Sequence, residues 1–139
     1  MRILIDTNVL ISAALSINST PYQAYKKAVS YPNHGLICEQ NVDELKRIFN
    51  KKFPNRLAAL DKFLSVALLT LELVPIPTEE TISEMQIRDI NDRPILRAAI
   101  DAKADILLIF SALPHSHAHR IFFRRQSELS CSLAAYWLR

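Results

Sequence analysis

The chain has 139 residues, half of them apolar and 22% charged, with mean hydropathy +0.08; that is enough for one domain with a real core, and it excludes a disordered tail protein or a low-complexity fibre. Lys and Arg number 17 against 14 Asp and Glu, a formal charge of +3 and a pI of about 9.0, which by itself suggests a mildly basic protein that binds nucleic acid. Glycine occurs once, at Gly35, where average usage of about 7% gives roughly ten, so a Gly-rich phosphate loop and a dinucleotide fingerprint are excluded.

In chain order, Ile3-Leu4-Ile5 is a continuous apolar run suited to a central strand buried on both faces. It stops at Asp6-Thr7-Asn8, three residues that cap helices, and Val9-Leu10-Ile11 with Ala13-Ala14-Leu15 continue as a helix. Thr20-Pro21 opens a second helix, Thr as cap and Pro in the first turn, running to about Tyr31. Pro32-Asn33-His34-Gly35 turns the chain into a second strand, Leu36-Ile37-Cys38. Gln40-Asn41 caps a helix with Val42, Leu45, Ile48 and Phe49 on its apolar face. After Pro54-Asn55, Leu57, Leu60, Phe63, Leu64 and Ala67 mark another amphipathic helix. Leu71 to Ile76 reads as a third strand, Thr78-Glu79-Glu80 as the start of a short helix, Asp92-Arg93-Pro94 as the start of a longer one, and Ala104 to Ile109 as a fourth strand.

Strands alternating with helices predict an α/β fold, a parallel sheet flanked by helices. Such sheets place ligands beyond the carboxyl ends of their strands, where Asp6 stands. No apolar run reaches the roughly 18 residues of a membrane span, and Met1-Arg2-Ile3-Leu4-Ile5 meets Asp6 too early for a signal peptide. Cys38 and Cys131 are too few and too far apart for a disulfide framework, which points to a reduced, cytoplasmic protein. The charge is uneven: residues 1–110 hold 13 basic and 13 acidic side chains, whereas 111–139 hold Arg120, Arg124, Arg125 and Arg139 against only Glu128, with three of the four histidines. The composition breaks near residue 110.

Three carboxylates stand at element boundaries near the expected carboxyl edge: Asp6 ending strand one, Glu44 in the first turns of the helix after strand two, and Asp92 at the start of the helix before strand four. If they converge, each raises the others' pKa. A hard divalent cation relieves this; Mg²⁺ and Mn²⁺ prefer oxygen ligands and promote attack on a phosphodiester. Each residue also has a plainer reading: Asp6 as a helix cap, Glu44 as a solvated residue favouring the helix dipole, Asp92 as an N-cap before Pro94. Asp89 lies in the connecting segment, solvated or supporting. Spacing alone does not decide among these.

The motifs carry a resemblance. Ile3-Leu4-Ile5-Asp6-Thr7-Asn8-Val9-Leu10 resembles the opening of a PIN domain, Asn41-Val42-Asp43-Glu44-Leu45-Lys46-Arg47-Ile48 its second motif, and Arg88-Asp89-Ile90-Asn91-Asp92-Arg93-Pro94-Ile95-Leu96 its third; Ala104-Asp105-Ile106-Leu107-Leu108 is similar to the strand before its fourth. The bacterial toxin-antitoxin branch is the most similar. The resemblance, continuous over residues 1–108, implies a PIN-like three-layer α/β fold that holds Mg²⁺ or Mn²⁺ on acidic residues and cleaves RNA, usually single-stranded. It implies Asp6, Glu44 and Asp92 as metal-holding catalytic carboxylates, with Asn8 and Thr7 beside the first. It also implies an antitoxin partner and a homodimer.

The chain departs from that pattern after strand four, where the family has Thr-Gly-Asp and this sequence reads Ile109-Phe110-Ser111. Ser111 takes the place of the fourth acidic residue, and a hydroxyl is a poorer Mg²⁺ ligand than a carboxylate. Asp105 opens the strand, about 16–20 Å from its far end at roughly 3.3 Å per residue, so it does not substitute. Residues 1–110 thus form the PIN-like domain, and 111–139 a divergent basic segment of the kind a displaced reading frame produces. The usual final strand is not visible there. His115, His117 and His119 alternate, which on a strand gives a shared face able to bind Zn²⁺, though exposed loop residues are the plainer reading. Arg120, Arg124 and Arg125 read as a solvated helix face, and Ile121, Phe122, Leu129, Leu133, Tyr136 and Trp137 as an amphipathic C-terminal helix.

Three functions follow. The first is a metal-dependent endoribonuclease of PIN type, a toxin weakened by loss of the fourth carboxylate. The second is a catalytically silent module that binds antitoxin or RNA. The third is an unrelated α/β binding protein whose acidic residues only cap helices.

Overall fold

In the computed structural model, which describes residues 1–86, 90, 93–110 and 119–122, the Ile3-Leu4-Ile5 run is buried on both faces as the sequence predicts. It forms β1 (Arg2–Ile5), followed by α1 (Thr7–Leu15), α2 (Thr20–Val29), β2 (His34–Cys38), α3 (Glu39–Lys52), α4 (Leu57–Thr70), β3 (Glu72–Val74), α5 (Arg93–Asp101), β4 (Ile106–Phe110) and β5 (His119–Phe122). Single 3₁₀ turns occupy Pro54–Arg56 and Ile82–Gln86. The strand order is β3-β2-β1-β4-β5; the first four are parallel and β5 runs antiparallel to β4.

Alternation along the strands divides the core between two faces. Ile3, Ile5, Ile37 and Leu108 pack with α1, α2, α3 and α4 through Val9, Leu10, Ala13, Tyr25, Leu45, Phe49, Leu60 and Leu64. Leu4, Leu36, Cys38, Val74 and Leu107 pack with α5 through Ile95, Ala98 and Ala99. Helices on both sides of a mostly parallel sheet make three layers, the α/β arrangement the element order predicts.

Several boundaries differ from the sequence reading. The cap of α2 is Ser19, whose Oγ accepts from the Tyr22 N–H at 3.2 Å, so Thr20 is the first helical residue. α3 starts at Glu39, directly after β2, and Asn41 is a buried helical residue and not a cap. The third strand covers Glu72–Val74 and not Leu71 to Ile76, because Leu71 closes α4 and Pro75 has no N–H to offer a partner strand. Thr78 to Glu80 form no helix; the turn comes later, at Ile82–Gln86. At the C-terminal side, the helix expected to include Arg120, Ile121 and Phe122 is instead strand β5, with Leu107 opposite Phe122 and Phe110 opposite His119. The final strand that the sequence did not reveal is therefore present at residues 119–122. A free edge of β4 carries unpaired N–H and C=O groups, and pairing with β5 satisfies them.

The one glycine is a close-approach position. A Cβ built on Gly35 lies 2.6 Å from Leu71 Cδ2 and 2.9 Å from Val29 Cγ1, so a larger residue here displaces these two side chains from the packing of β2 against α2 and the end of α4. Gly35→Ala is expected to cost about 1–3 kcal/mol through overpacking. Urea unfolding checks this: the midpoint falls while the slope is unchanged.

Candidate functional site

Because β1, β2 and β4 are parallel and adjacent, their carboxyl ends share one edge of the sheet. Asp6 follows β1 on that edge. Its N–H donates to the Leu108 carbonyl at 3.0 Å, extending the β1–β4 pairing by one residue. Its backbone remains extended (φ −72°, ψ 153°), and Oδ2 accepts from the Asn8 N–H at 3.2 Å, capping α1. The capping role that the sequence offers as the plain reading of Asp6 is thus real, and the same geometry holds the carboxylate at the sheet edge.

Glu44 is brought to this edge by helix phase. α3 follows β2 without a loop residue, and Glu44 is the sixth residue of the helix. Thr7, the buried first residue of α1, donates from Oγ1 to Glu44 Oε2 at 2.8 Å. One turn further along α3, Arg47 Nη2 stands 3.9 Å from Glu44 Oε1. Asp6, Thr7 and Glu44 line a cleft of about 420 Å³ together with Gln40, Asn41, Asp43, Arg47, Ile76, Pro94 and Ile95. Its described lining carries three carboxylates and one guanidinium.

Two other groups bear on the chemistry of the edge. Burial pushes the Cys38 thiol up to about 12, and the negative charge of Asp6 adds to the effect. At neutral pH Cys38 is therefore a protonated core residue and no nucleophile. Asn41 is only 7% exposed, and its Nδ2 has no hydrogen-bond acceptor.

Of the residues singled out in the sequence, Asp6, Glu44 and Thr7 come together. Asn8 is exposed and contributes its backbone N–H to Asp6. Asp89, Asp92 and Ser111, like His115, His117, Arg124 and Arg125, lie outside the described residues. Asp105 stands at the opposite edge of the sheet, where its carboxylate accepts the Arg2 N–H at 2.8 Å and its own N–H donates to the Arg2 carbonyl. Among the described residues, no group of three or more His, Cys, Asp or Glu side chains is placed to hold a metal ion. The two carboxylates and the Thr7 hydroxyl nevertheless form an all-oxygen set. That suits Mg²⁺ or Mn²⁺, since Mg²⁺ commonly binds through one or two carboxylates plus water and phosphate oxygens.

Sequence reading gave Gln40 and Asn41 only a capping role and Asp43 and Arg47 none in the site, yet all four line the cleft. The usable signal was helical spacing: Gln40, Asn41 and Arg47 stand four before, three before and three after Glu44, and such neighbours share a helix face.

The family model described as the PIN domain matches residues 2–109. No curated protein matches the chain in sequence. Among solved structures, it is similar to a chain in the crystal structure of VapBC2 from Rickettsia felis bound to a DNA fragment from their promoter, with a TM-score of 0.59 at 22% identity, covering 80% of this chain and 89% of that one. That likeness bears on the fold, and the parallel sheet between helices agrees with it. No helix among the described residues is long and apolar enough to cross a membrane.

Proposed function

The chain belongs to the PIN-domain family, and from that premise we propose that it is a metal-dependent endoribonuclease acting on single-stranded RNA, the toxin of a toxin-antitoxin pair in the bacterial cytoplasm. One observation carries the catalytic part. Asp6, from the carboxyl end of β1, and Glu44, from α3, face one cleft and are joined through Thr7, whose neighbour is Asp6 and whose hydroxyl binds Glu44. A divalent cation between carboxylates so placed would offset their mutual repulsion. The antitoxin partner is supported by the fold likeness to a chain of a VapBC2 complex, and a homodimer by the family resemblance.

In this reading Asp6 and Glu44 hold Mg²⁺ or Mn²⁺ with Asp92, whose chain neighbour two residues on, Pro94, lines the same cleft. The ion, when bound, activates water and neutralises charge on the phosphodiester. The residues of the chain do the positioning. The Asn8 N–H fixes one oxygen of Asp6, and Thr7 fixes one oxygen of Glu44, so neither carboxylate rotates freely away from the cleft. Thr7 is itself buried, which locks its hydroxyl in place. In the sequence Ser111 stands where the family pattern has a fourth acidic residue, and a neutral hydroxyl is a poorer ligand for such an ion than a carboxylate. That substitution favours the second reading, a silent module that binds antitoxin or RNA without cutting.

The test is metal removal. The purified chain is expected to cleave single-stranded RNA with Mn²⁺ or Mg²⁺, to lose cleavage in EDTA and to regain it when Mn²⁺ is restored. Calorimetric titration of the same protein separates the two readings: Mn²⁺ binding in the millimolar range or tighter supports the nuclease, and no heat of binding supports the silent module.

A further inference from the structure

Arg47 is the one cation among the described residues lining a cleft that otherwise carries Asp6, Asp43 and Glu44. Its sole ion pair, with Glu44, is long at 3.9 Å, and its side chain is 77% exposed. A guanidinium has five N–H donors in a planar fork, so beyond the contact with Glu44 most of them face solvent and are open to a ligand. Six residues back along α3, Asn41 lines the same cleft with a buried Nδ2 that has no acceptor among the described residues. Buried donors are nearly always satisfied, and one that is not calls for an explanation. The terminal torsion of an Asn amide is soft, so a modest turn offers this donor to an oxygen entering the cleft. Both residues line the cleft from one helix, Arg47 with donors beyond its long pair to Glu44 and Asn41 with an unsatisfied one, next to carboxylates that repel anions unless a cation is bound.

We infer that Arg47 and Asn41 form a phosphate subsite that grips the RNA backbone beside the carboxylates, Arg47 as the clamp and Asn41 as the orienting donor. This deepens the nuclease reading and rests on it for the identity of the ligand. RNA binding is then coupled to the divalent ion: without the ion the cleft is net negative, and with it the fork of Arg47 meets a phosphodiester in a neutralised site. Arg47 positions substrate; it holds no metal.

The probe is a short fluorescent oligouridylate, followed by anisotropy in Ca²⁺ so that binding is read without requiring cleavage, with Mn²⁺ affinity measured in parallel. Arg47→Ala is expected to weaken oligouridylate binding about tenfold or more, since a charge-assisted contact is being removed. Its plot of log affinity against log salt is expected to flatten by about 0.7, the loss of one phosphate contact on a single strand. Arg47→Lys keeps the charge and loses the fork, so the salt slope is retained and affinity is intermediate. Asn41→Ala is expected to weaken binding severalfold with the slope unchanged. Mn²⁺ affinity is expected to hold or rise in Arg47→Ala, because a positive charge leaves the side of Glu44. Unchanged oligouridylate affinity and slope in Arg47→Ala overturn the subsite, as does a parallel loss of Mn²⁺ binding, which would mean that Arg47 acts only through Glu44. If the unaltered chain binds the oligonucleotide through Arg47 but never cuts it in Mn²⁺, the nuclease reading falls while the subsite stands.

Discussion

Asp6→Asn is expected to abolish metal-dependent RNA cleavage, lowering kcat/KM by about 10²-fold or more while leaving the fold intact. The choice of Asn is deliberate. Asp6 caps α1 through the Asn8 N–H, and Asn is as good an N-cap as Asp, whereas Ala costs about 0.5–2 kcal/mol of stability. The backbone N–H that reaches the Leu108 carbonyl is untouched. What Asn removes is a negative charge at the edge of the cleft, so Mn²⁺ affinity should fall together with cleavage while the melting temperature stays close to that of the unaltered chain. Cleavage that survives Asp6→Asn at full rate would place the activity in a contaminant or at a different site. Failure to fold would show that the carboxylate charge itself, and not only the cap that Asn retains, serves the fold at this position.

The second large effect lies away from the cleft, in the connection to α5. Glu84 is 1% exposed, and Arg97 grips it with both arms: Nε to Oε2 at 2.9 Å and Nη2 to Oε1 at 2.7 Å. The same guanidinium donates from Nη1 to the carbonyls of Pro77 at 2.7 Å and Thr78 at 3.3 Å, tying the segment after β3 to α5. Thr81 donates from Oγ1 to Glu84 Oε2 at 3.3 Å. The hydrogen bonds from Arg97 hold the Glu84 carboxyl down to about 2, against an ordinary value of 4.5. A carboxyl whose pKa is depressed on folding contributes fully at pH above its unfolded value and loses that contribution as pH falls toward its folded value. Stability from this pair is therefore complete above about pH 4.5 and disappears toward pH 2.

Arg97→Ala leaves Glu84 buried and unpaired, and is expected to lower Tm by more than any exposed charge substitution on α3 does. The deficit should be greatest near neutral pH and narrow in acid, where a protonated Glu84 tolerates burial. Replacing both partners, Glu84→Leu with Arg97→Met, should recover much of the loss, because breaking a buried pair costs far more than removing it whole. Thermal melts of the single and double variants across pH 3 to 7 (roughly the range of carboxylate titration) measure this. A single variant no worse than the double one would show that leaving Glu84 without Arg97 carries no cost beyond loss of the pair as a whole.

Local signals made the frame readable. Ile3-Leu4-Ile5, Leu36-Ile37-Cys38 and Ile106-Leu107-Leu108-Ile109 are short apolar runs bounded by polar or turn residues, and each falls on a parallel strand, although the fourth strand begins at Ile106 and not at Ala104. Asp6 could be placed at a strand's carboxyl end because the run before it stops abruptly. Glu44 could be placed on a helix by periodicity, but its bond to Thr7 depends on how α1 and α3 pack, which no local pattern encodes. The Glu84–Arg97 pair was invisible for the same reason: thirteen residues separate the partners, and neither stands out until tertiary packing buries them. The start of α3 was misread because Asn41 is a favoured cap residue, while packing drew the helix back to Glu39 and left the amide buried. β5 was misread because its pairing with β4 is a tertiary event, and a free strand edge selects its partner by geometry more than by composition. The net charge was a poor guide, since residues 1–110 are balanced and the basic excess lies at 111–139.

The direct passage from β2 into α3, with Cys38 ending the strand and Glu39 beginning the helix, sets what kinds of change this chain can accumulate. Each residue added to a helix turns everything beyond it by about 100° and advances it about 1.5 Å. A single insertion or deletion between Cys38 and Glu44 would swing that carboxylate, with Arg47, around the helix and away from Thr7, and the strand's pairing leaves no slack to absorb the shift. Residue identities along this stretch can drift one at a time, but its length cannot. Between α3 and α4, by contrast, a 3₁₀ turn with no buried residues makes the join, so length variation among relatives should collect there and be missing from the β2–α3 junction.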